Sequence, residues 1–248
     1  MGNCKISLKC INMSYPSSVM NTRSIKEEIF SFLKKEKSKK MLKDVHALRN
    51  FSLEVNEGER IGVIGHNGSG KSTLLKVIAG IYPIDSGIRI VNGKIRALFD
   101  ISLGFDFESS GRENILYRGL LLGATPDEIY ERMDEIIAFT DIGEFIDYPV
   151  KSYSTGMMVR LAFAVSTSIQ GEILLLDEVV GAGDATFMSK ARKRIFDLMD
   201  QSKLMVFVSH DLETIRKVCS RVIWLDHGIK VLDGDPDIVI NTYLDSLK

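Results

Sequence analysis

The stretch Gly65-His66-Asn67-Gly68-Ser69-Gly70-Lys71-Ser72-Thr73 decides the fold. It matches the phosphate-binding loop pattern of a glycine, any four residues and then Gly-Lys-Ser/Thr. Residues 60–64 before it predict a short buried strand, and residues 74–80 after it predict a helix that ends at a glycine. In such a loop the backbone N–H groups and the positive end of the helix face phosphate oxygens. Lys71 would reach the β- and γ-phosphates, and the Ser72 hydroxyl would ligate Mg²⁺.

A chance lysine in a glycine-rich turn is the alternative reading of this stretch. It is disfavoured because the strand, the loop and the helix all agree with the motif. The stretch therefore predicts a site for a nucleotide phosphate chain.

The composition is that of an ordinary soluble globular protein. The 248 residues are 45% hydrophobic and 26% charged, with a formal net charge of −1. This charge balance gives no broad excess of positive charge that would bind nucleic acid, so we expect no nucleic-acid partner. The aliphatic runs, such as residues 173–176, are far below the roughly 18 residues that span a bilayer.

Alternation and turn signals predict an α/β core with a mixed sheet and flanking helices. Residues 5–13 predict an edge strand that ends near Tyr15, and Asn92-Gly93 predicts a hairpin between residues 88–91 and 94–99. Further predicted strands are residues 51–55, 172–178, 204–208, 221–226 and 229–232. The last two are predicted to form a hairpin through His227-Gly228.

Helical patterns fill the middle of the chain and its end. The predicted helices are residues 112–122, 126–139, 156–169 and 236–247. Residues from about 105 to 168 therefore predict a helical subdomain inserted in the α/β core.

Residues 17–44 do not resemble core sequence. From Arg23 to Lys43 there are eight Lys or Arg residues and three Glu residues, a net charge of +5. Ile25, Ile29, Phe32 and Leu33 form one helical stripe. This basic amphipathic insertion is either a solvated surface helix or a helix that lies beside a membrane or a membrane partner.

Four side chains outside the loop are candidates for nucleotide chemistry. Asp177 and Glu178 end a buried strand, where Asp177 can hold Mg²⁺ and Glu178 can accept a proton from water. His210 follows the neighbouring strand and can hydrogen-bond the γ-phosphate or the water. Tyr15 could stack on a nucleotide base, or it could simply close the first strand.

Together these motifs resemble the ATP-binding subunit of an ABC transporter over nearly the whole chain. The resemblance implies a single ATP-binding domain over residues 1–248, with Gly65 to Thr73 as Walker A and Asp177 at the end of Walker B. It also implies Glu178 as the catalytic glutamate, His210 as the switch histidine and Asp184 as the D-loop acid. Tyr15 matches the aromatic residue that stacks on adenine.

A second motif, Tyr153-Ser154-Thr155-Gly156-Met157, stands where this family usually has Leu-Ser-Gly-Gly-Gln. By resemblance, Ser154, Thr155 and Gly156 bind the nucleotide held by a second copy, so two copies would enclose two ATP molecules. The motif begins a predicted helix, which still offers N–H groups to a phosphate.

Where the sequence departs from the usual pattern of the family, it resembles the exporters of O-antigen, capsular polysaccharide and teichoic acid. These departures are the Tyr-Ser-x-Gly-Met motif, the insertion at residues 17–44, and Asp100 in place of the Q-loop glutamine. Asp100 is short, so its contact with Mg²⁺ could need a bridging water. Some of these exporters append a carbohydrate-binding domain, which we do not expect in a chain that stops at Lys248.

The resemblance implies a peripheral ATPase on the cytoplasmic face of the inner membrane. Its partners would be a second copy, a membrane-spanning transporter subunit and, indirectly, a lipid-linked polysaccharide, and its cofactors ATP and Mg²⁺. The alternatives are a soluble ABC ATPase acting on nucleic acid or ribosomes, and a nucleotide-gated scaffold without turnover. The scaffold is disfavoured by Glu178 and His210.

Overall fold

The structure is a computed structural model that describes residues 4–15, 44–99, 104–177 and 185–247. Its strands are β1 (Lys5–Tyr15), β2 (Val45–Asn56), β3 (Arg60–Ile64), β4 (Ser86–Asn92), β5 (Ile95–Leu98), β6 (Ile173–Asp177), β7 (Leu204–Val208), β8 (Arg221–Asp226) and β9 (Ile229–Gly234). Its α-helices are α1 (Lys71–Ala79), α2 (Gly111–Leu121), α3 (Pro126–Thr140), α4 (Thr155–Ser168), α5 (Ala185–Gln201), α6 (Leu212–Val218) and α7 (Pro236–Ser246). Asp100, Glu178, Asp184 and residues 17–43 of the insertion lie outside the described residues.

The strands form two sheets. A six-stranded sheet has the order β5-β6-β7-β3-β8-β9, in which the first five strands are parallel and β9 is antiparallel to β8. An antiparallel three-stranded sheet has the order β2-β1-β4. This α/β architecture with a mixed sheet confirms the predicted fold class.

The prediction of residues 5–13 as an edge strand was wrong, because β1 is the central strand of its sheet. It pairs with β2 on one side and with β4 on the other. Register shifts around Cys10, whose φ is 50°, interrupt both ladders. This loosened alternation is what made the strand resemble an edge in the sequence.

The predicted hairpin at Asn92-Gly93 was also wrong. β4 pairs with β1, whereas β5 pairs with β6 in the other sheet. The Lys94 carbonyl accepts hydrogen bonds from the Glu172 and Ile173 N–H groups at 2.7 and 3.1 Å. Pairing with distant strands therefore overrides the local turn preference, and Gly93 serves as the bend between the two sheets.

The core lies on both faces of the six-stranded sheet. Along β6, Ile173 and Leu175 face α1 and the three-stranded sheet, while Leu174 and Leu176 face the side that α5 and α7 cover. All four side chains are at most 1% exposed. Since fully burying one such side chain stabilises a fold by about 1.5–3 kcal/mol, this strand contributes strongly to the stability of the core.

Helices α2, α3 and α4 pack around a separate cluster that includes Ile115, Ile129 and Leu161. Capping boxes at Ser110 and Thr125 fix the starts of α2 and α3. The boundaries of the subdomain, about 105–168, stay an interpretation. Among the helices that the structure describes, none has the length and apolar character needed to cross a bilayer.

Candidate nucleotide-binding site

The loop from Gly65 to Gly70 joins β3 to α1, and its shape depends on two glycines. Gly65 has a φ of 148°, and a Cβ there would lie 2.1 Å from the Leu225 carbonyl oxygen. Gly70 has a φ of 108°, and a Cβ there would lie 2.5 Å from the Ala47 carbonyl oxygen. Any other residue at either position would strain the backbone and collide with a neighbouring carbonyl, so the loop requires glycine at both.

The N-terminal end of α1 is arranged to receive an anion. Its N-cap residue, Gly70, provides no side-chain cap, and there is no acidic residue in the first turn. The helix dipole and the N–H groups of this turn therefore favour a negatively charged oxygen supplied by a ligand.

Lys71 is held tightly over this loop. Its side chain is only 7% exposed, and Nζ donates hydrogen bonds to the carbonyl oxygens of Gly65 at 2.8 Å and His66 at 2.9 Å. Backbone carbonyls orient the ammonium group without supplying a full negative charge. The cation is thus kept in position for an anionic ligand.

A cavity of about 520 Å³ opens beside the loop. The predicted site residues that line it are Tyr15, Asn67, Gly68, Gly70, Lys71, Ser72, Thr73, Asp177 and His210. The volume lies within the roughly 300–1,000 Å³ range of small-molecule sites. The fold thus brings together residues from four separated stretches of the chain.

Asp177 and His210 enter this cavity from neighbouring strands. Asp177 is the last residue of β6, and His210 lies two residues beyond the end of β7, with which β6 pairs in parallel. Carboxyl ends of parallel strands meet at one edge of a sheet, where ligands bind in α/β proteins. The Ser72 hydroxyl and the Asp177 carboxylate line the same cavity and supply hard oxygen donors, which fit Mg²⁺.

Tyr15 closes the cavity at the end of β1. Its hydroxyl lies 2.8 Å from Thr73 Oγ1, and its ring meets Tyr82 edge-on with ring centroids 5.8 Å apart. Partial burial raises the pKa of this phenol. Tyr15 is therefore both tied to α1 and placed at the cavity wall, and base stacking stays a prediction.

Three predicted loop residues do not line the cavity: Gly65, His66 and Ser69. Ser69 is fully buried beneath the loop. His66 turns toward the β8–β9 hairpin, where Nε2 lies 2.6 Å from Asp226 Oδ1. Sequence reasoning missed Asp226, and nothing in the local sequence could have linked two residues 160 positions apart.

Residues at the start of β2 and directly after β5 complete the wall and were also missed. They are Val45, His46, Ala47 and Phe99. Their places follow only from the pairing of β2 and β5 with their sheets.

The predicted second motif lies away from this cavity. Ser154 is the N-cap of α4, and its Oγ accepts a hydrogen bond from the Met157 N–H at 3.2 Å. Ser154 and Thr155 are exposed, and the first turn has no acidic residue. Ser154, Thr155 and Gly156 do not line the cavity of their own chain, so any nucleotide they bind must come from elsewhere.

Tyr153 fixes the start of that helix. It is 7% exposed, and its hydroxyl donates a hydrogen bond to the Phe145 carbonyl oxygen at 2.6 Å. Burial raises the pKa of Tyr153 to about 12. The exposed helix N-terminus thus rests on a rigid, buried anchor.

Comparison with known proteins assigns this arrangement to one class. The profile of the family described as ABC transporter matches residues 48–181. A dimeric ATP-binding cassette, solved in a post-hydrolysis state bound to ADP and Pi, has a TM-score of 0.67 and 20% identity, covering 93% of this chain and 98% of that one. The fold is therefore that of an ATP-binding cassette.

Similar sequences narrow the class further. An O-antigen export system ATP-binding protein of Yersinia enterocolitica is 43% identical over 89% of this chain and 94% of its own length. One from Myxococcus xanthus is 43% identical over 90% of this chain and 51% of its own length. A teichoic acids export ATP-binding protein of Lactococcus lactis is 39% identical over 98% of this chain and 52% of its own length.

The chain belongs to the ABC transporter family and is an ABC transporter ATPase. It spans nearly all of the Yersinia protein but about half the length of the other two relatives.

Proposed function

We propose that this protein hydrolyses ATP to power the export of a polysaccharide through a separate membrane-spanning subunit. The proposal of an ATP site rests on one observation: Lys71, Ser72, Asp177 and His210 line the same cavity. A phosphate-binding loop alone would suit many nucleotide-binding proteins. The acid and the histidine at neighbouring strand ends add what hydrolysis requires.

The chain's own residues would act on ATP in distinct ways. Lys71 and the N-terminal end of α1 bind the β- and γ-phosphates, and Tyr15 lies where it can contact the base. His210 orients the attacking water or the γ-phosphate, and Glu178, next to Asp177 in the sequence, accepts the proton from water. Ser72 and Asp177 would hold Mg²⁺, with Asp100 as a further candidate ligand, and the ion would neutralise charge developing on the phosphates.

A second copy of the chain would complete the site. The exposed N-terminal end of α4, from Ser154 to Gly156, points to no nucleotide of its own chain. The similar cassette described above is dimeric. We propose that this helix end contacts the γ-phosphate held by the partner copy, and that Asp184 lies at the contact between the two copies.

The export substrate is inferred from the relatives. Their names specify export of O-antigen in two cases and of teichoic acids in the third. We propose that this chain serves the export of a polymer of the same kind, of the O-antigen, capsule or teichoic-acid type. We further propose that it binds peripherally at the cytoplasmic face of the inner membrane, with residues 17–44 as the segment that approaches lipid or the membrane subunit.

The decisive experiment replaces the chromosomal copy with Lys71→Ala. We expect a lipid-linked polysaccharide to accumulate inside the cell and to disappear from the surface, while the membrane subunit still co-purifies. Lys193→Ala, which changes an exposed lysine on α5, is the matched control and should export normally. Normal surface polysaccharide in the Lys71→Ala strain, or co-purification with ribosomes instead of a membrane subunit, would contradict the proposal.

A further inference from the structure

A second cavity, of about 480 Å³, lies at the opposite end of the six-stranded sheet. It opens at the amino ends of β5 and β6, whereas the nucleotide cavity lies at the carboxyl ends. Polar side chains in its wall include Lys94, Arg96, Glu128, Gln170, Glu172 and Ser202. The proposed function uses none of them.

Arg96 is the unusual member of this wall. It lies in β5 and is only 9% exposed. Its Nε is shielded from solvent and has no hydrogen-bond partner in the part of the chain that the structure describes. Nor does any described carboxylate form an ion pair with it. A buried guanidinium normally has such partners, because burying an unpaired charge is costly.

Two other arginines make the burial of Arg96 less favourable. Burial, together with the neighbouring charges of Arg194 and Arg132, lowers the pKa of Arg96 to about 10. Those two arginines are engaged elsewhere. Arg194 Nη2 donates to Glu135 Oε1 at 2.7 Å, and Arg132 Nη1 donates to the Ser168 carbonyl oxygen at 2.7 Å.

The two acids of the cavity wall do not compensate for Arg96. Glu172 accepts from Lys203 Nζ at 2.6 Å and from the Lys94 N–H at 3.1 Å. Glu128 caps α3 by accepting from the Thr125 N–H at 2.8 Å, and it lies 3.7 Å from Lys94 Nζ. Each acid already has a cationic partner, so Arg96 remains the unmatched positive charge.

We propose that this cavity binds the oxyanion group of a small molecule, with Arg96 as its principal ligand. A guanidinium presents a planar fork of donors that matches two oxygens of a phosphate or a carboxylate. The Gln170 amide N–H groups can supply further hydrogen bonds from the wall. The volume is large enough for a small anion and part of the molecule that carries it.

The proposal does not rest on ATP hydrolysis or polysaccharide export, because no residue of this cavity lines the nucleotide cavity. However, the loop at Gly65 to Thr73 also binds phosphate. The test therefore compares Lys71→Ala with the double variant Lys71→Ala/Arg96→Met, so that both proteins carry the same weakened loop.

The measurement is thermal unfolding during titration with inorganic phosphate and, separately, with acetate, at an ionic strength held constant with sodium chloride. We expect a saturable rise in Tm for the Lys71→Ala protein with at least one of these anions. In the double variant the apparent affinity should fall by at least about tenfold, as expected when a charge-assisted hydrogen-bonded partner is removed. The stronger of the two responses tells whether the natural group is a phosphate or a carboxylate.

Arg221→Met on the Lys71→Ala background is the matched control. Arg221 lies at the same edge of the sheet but has its own acids, so this variant should keep the anion response. Arg96→Lys covers the case in which the methionine variant fails to fold, because it keeps the charge and removes the fork. Its Tm response to the preferred anion should also weaken. An equal anion response with and without the Arg96 guanidinium, or no saturable response to either anion, would overturn the proposal.

Discussion

Lys71 and Arg96 are two cations that the fold removes from water to the same extent, 7% and 9% exposed, but at opposite edges of the six-stranded sheet. The Lys71 ammonium donates to two backbone carbonyls, of Gly65 and His66. The Arg96 Nε, by contrast, finds no acceptor among the described residues. Equal burial thus accompanies very different local chemistry.

The difference shows how the carboxyl edge is prepared for its ligand. Carbonyl dipoles reduce the cost of burying the Lys71 charge and hold its ammonium group beside the loop that faces phosphate. At the amino edge no described residue accepts a hydrogen bond from the Arg96 Nε, and the charges of Arg194 and Arg132 oppose its burial. We therefore expect catalysis to depend on the carboxyl edge alone, and anion binding without turnover to mark the amino edge.

Glu178 is where the largest effect is expected, because it follows Asp177 directly at the carboxyl edge. Glu178→Gln removes the proposed base but keeps the size of the side chain, so hydrolysis should fall by about 10²- to 10⁴-fold. ATP binding should persist, and the protein should accumulate as a dimer in gel filtration with ATP. Phosphate release at the wild-type rate would show that the base lies elsewhere.

Lys71→Ala tests the cation of the same edge. It removes the charge that faces the phosphates, and loss of such a stabilising group typically costs about 10²- to 10³-fold in rate. Arg96→Met is the matched removal of a buried cation at the other edge, and it should leave phosphate release by the purified protein within about twofold. Comparable losses of phosphate-release rate in the two variants would contradict the proposal that only the carboxyl edge of the sheet takes part in catalysis.

Ser154→Arg tests whether the carboxyl-edge cavity is complete within one chain. The exposed start of α4 should meet the nucleotide of a partner copy, and an arginine would place bulk there. We expect ATP binding by the monomer to survive while ATP-dependent dimerisation and turnover are lost. Equilibrium dialysis with labelled ATP, beside gel filtration, would reveal the opposite result, in which monomer binding itself fails.

The parts of the fold that the sequence predicted correctly are those with a strong local signal. The continuous apolar runs of β6 and β7 predicted buried parallel strands, and both strands are confirmed with little change in their bounds. The hairpin through His227-Gly228 is confirmed as well, with both residues at positive φ. In each case the residues that decide the structure are neighbours in sequence.

The incorrect predictions concern strands whose partners are distant in sequence. Asn92-Gly93 has the residue types of a hairpin turn, but β4 and β5 pair with strands that are distant in sequence. The partners of β1 likewise come from residues 45–56 and 86–92. Because strand partners are chosen by long-range packing, a turn preference of local origin cannot settle them.

The residues of the two cavities also differ in how far the sequence predicts them. The loop from Gly65 to Thr73 was predictable because its pattern is contiguous, and Asp177 and His210 were predictable because strand ends meet at one edge. Arg96 carried no such signal, since an arginine in a short strand is usually taken as its solvent-facing residue. Only the structure shows that its side chain lies inside.

The smallest expected effect comes from Arg221, which resembles Arg96 in residue type and in lying at the amino edge. Unlike Arg96, it makes a bidentate contact with Asp233, through Nε at 2.6 Å and Nη2 at 2.8 Å, and Nη1 donates to Glu59 at 3.1 Å. The hydrogen bond to Asp233 raises the pKa of Arg221. Arg221→Met should therefore lower the free energy of unfolding by about 1–3 kcal/mol at neutral pH. Arg96→Met, which removes an unpaired buried charge, should leave it unchanged or raise it.

The pH dependence of this loss follows from Asp233. Burial alone would raise the pKa of that carboxyl, but hydrogen bonds from Arg221 and Lys230 outweigh it and lower the pKa. A carboxyl with a depressed pKa in the folded state stabilises the fold above its unfolded pKa of about 3.9, and this contribution is lost as the pH falls through the folded value. Urea titrations would measure the difference in the free energy of unfolding between wild type and Arg221→Met. This difference should be largest at pH 5 to 7, which is about one unit or more above that unfolded pKa, and it should decrease as the pH falls further. A gap that stays constant with pH would mean that Arg221 stabilises the fold through packing, and a variant as stable as wild type would remove the contrast with Arg96.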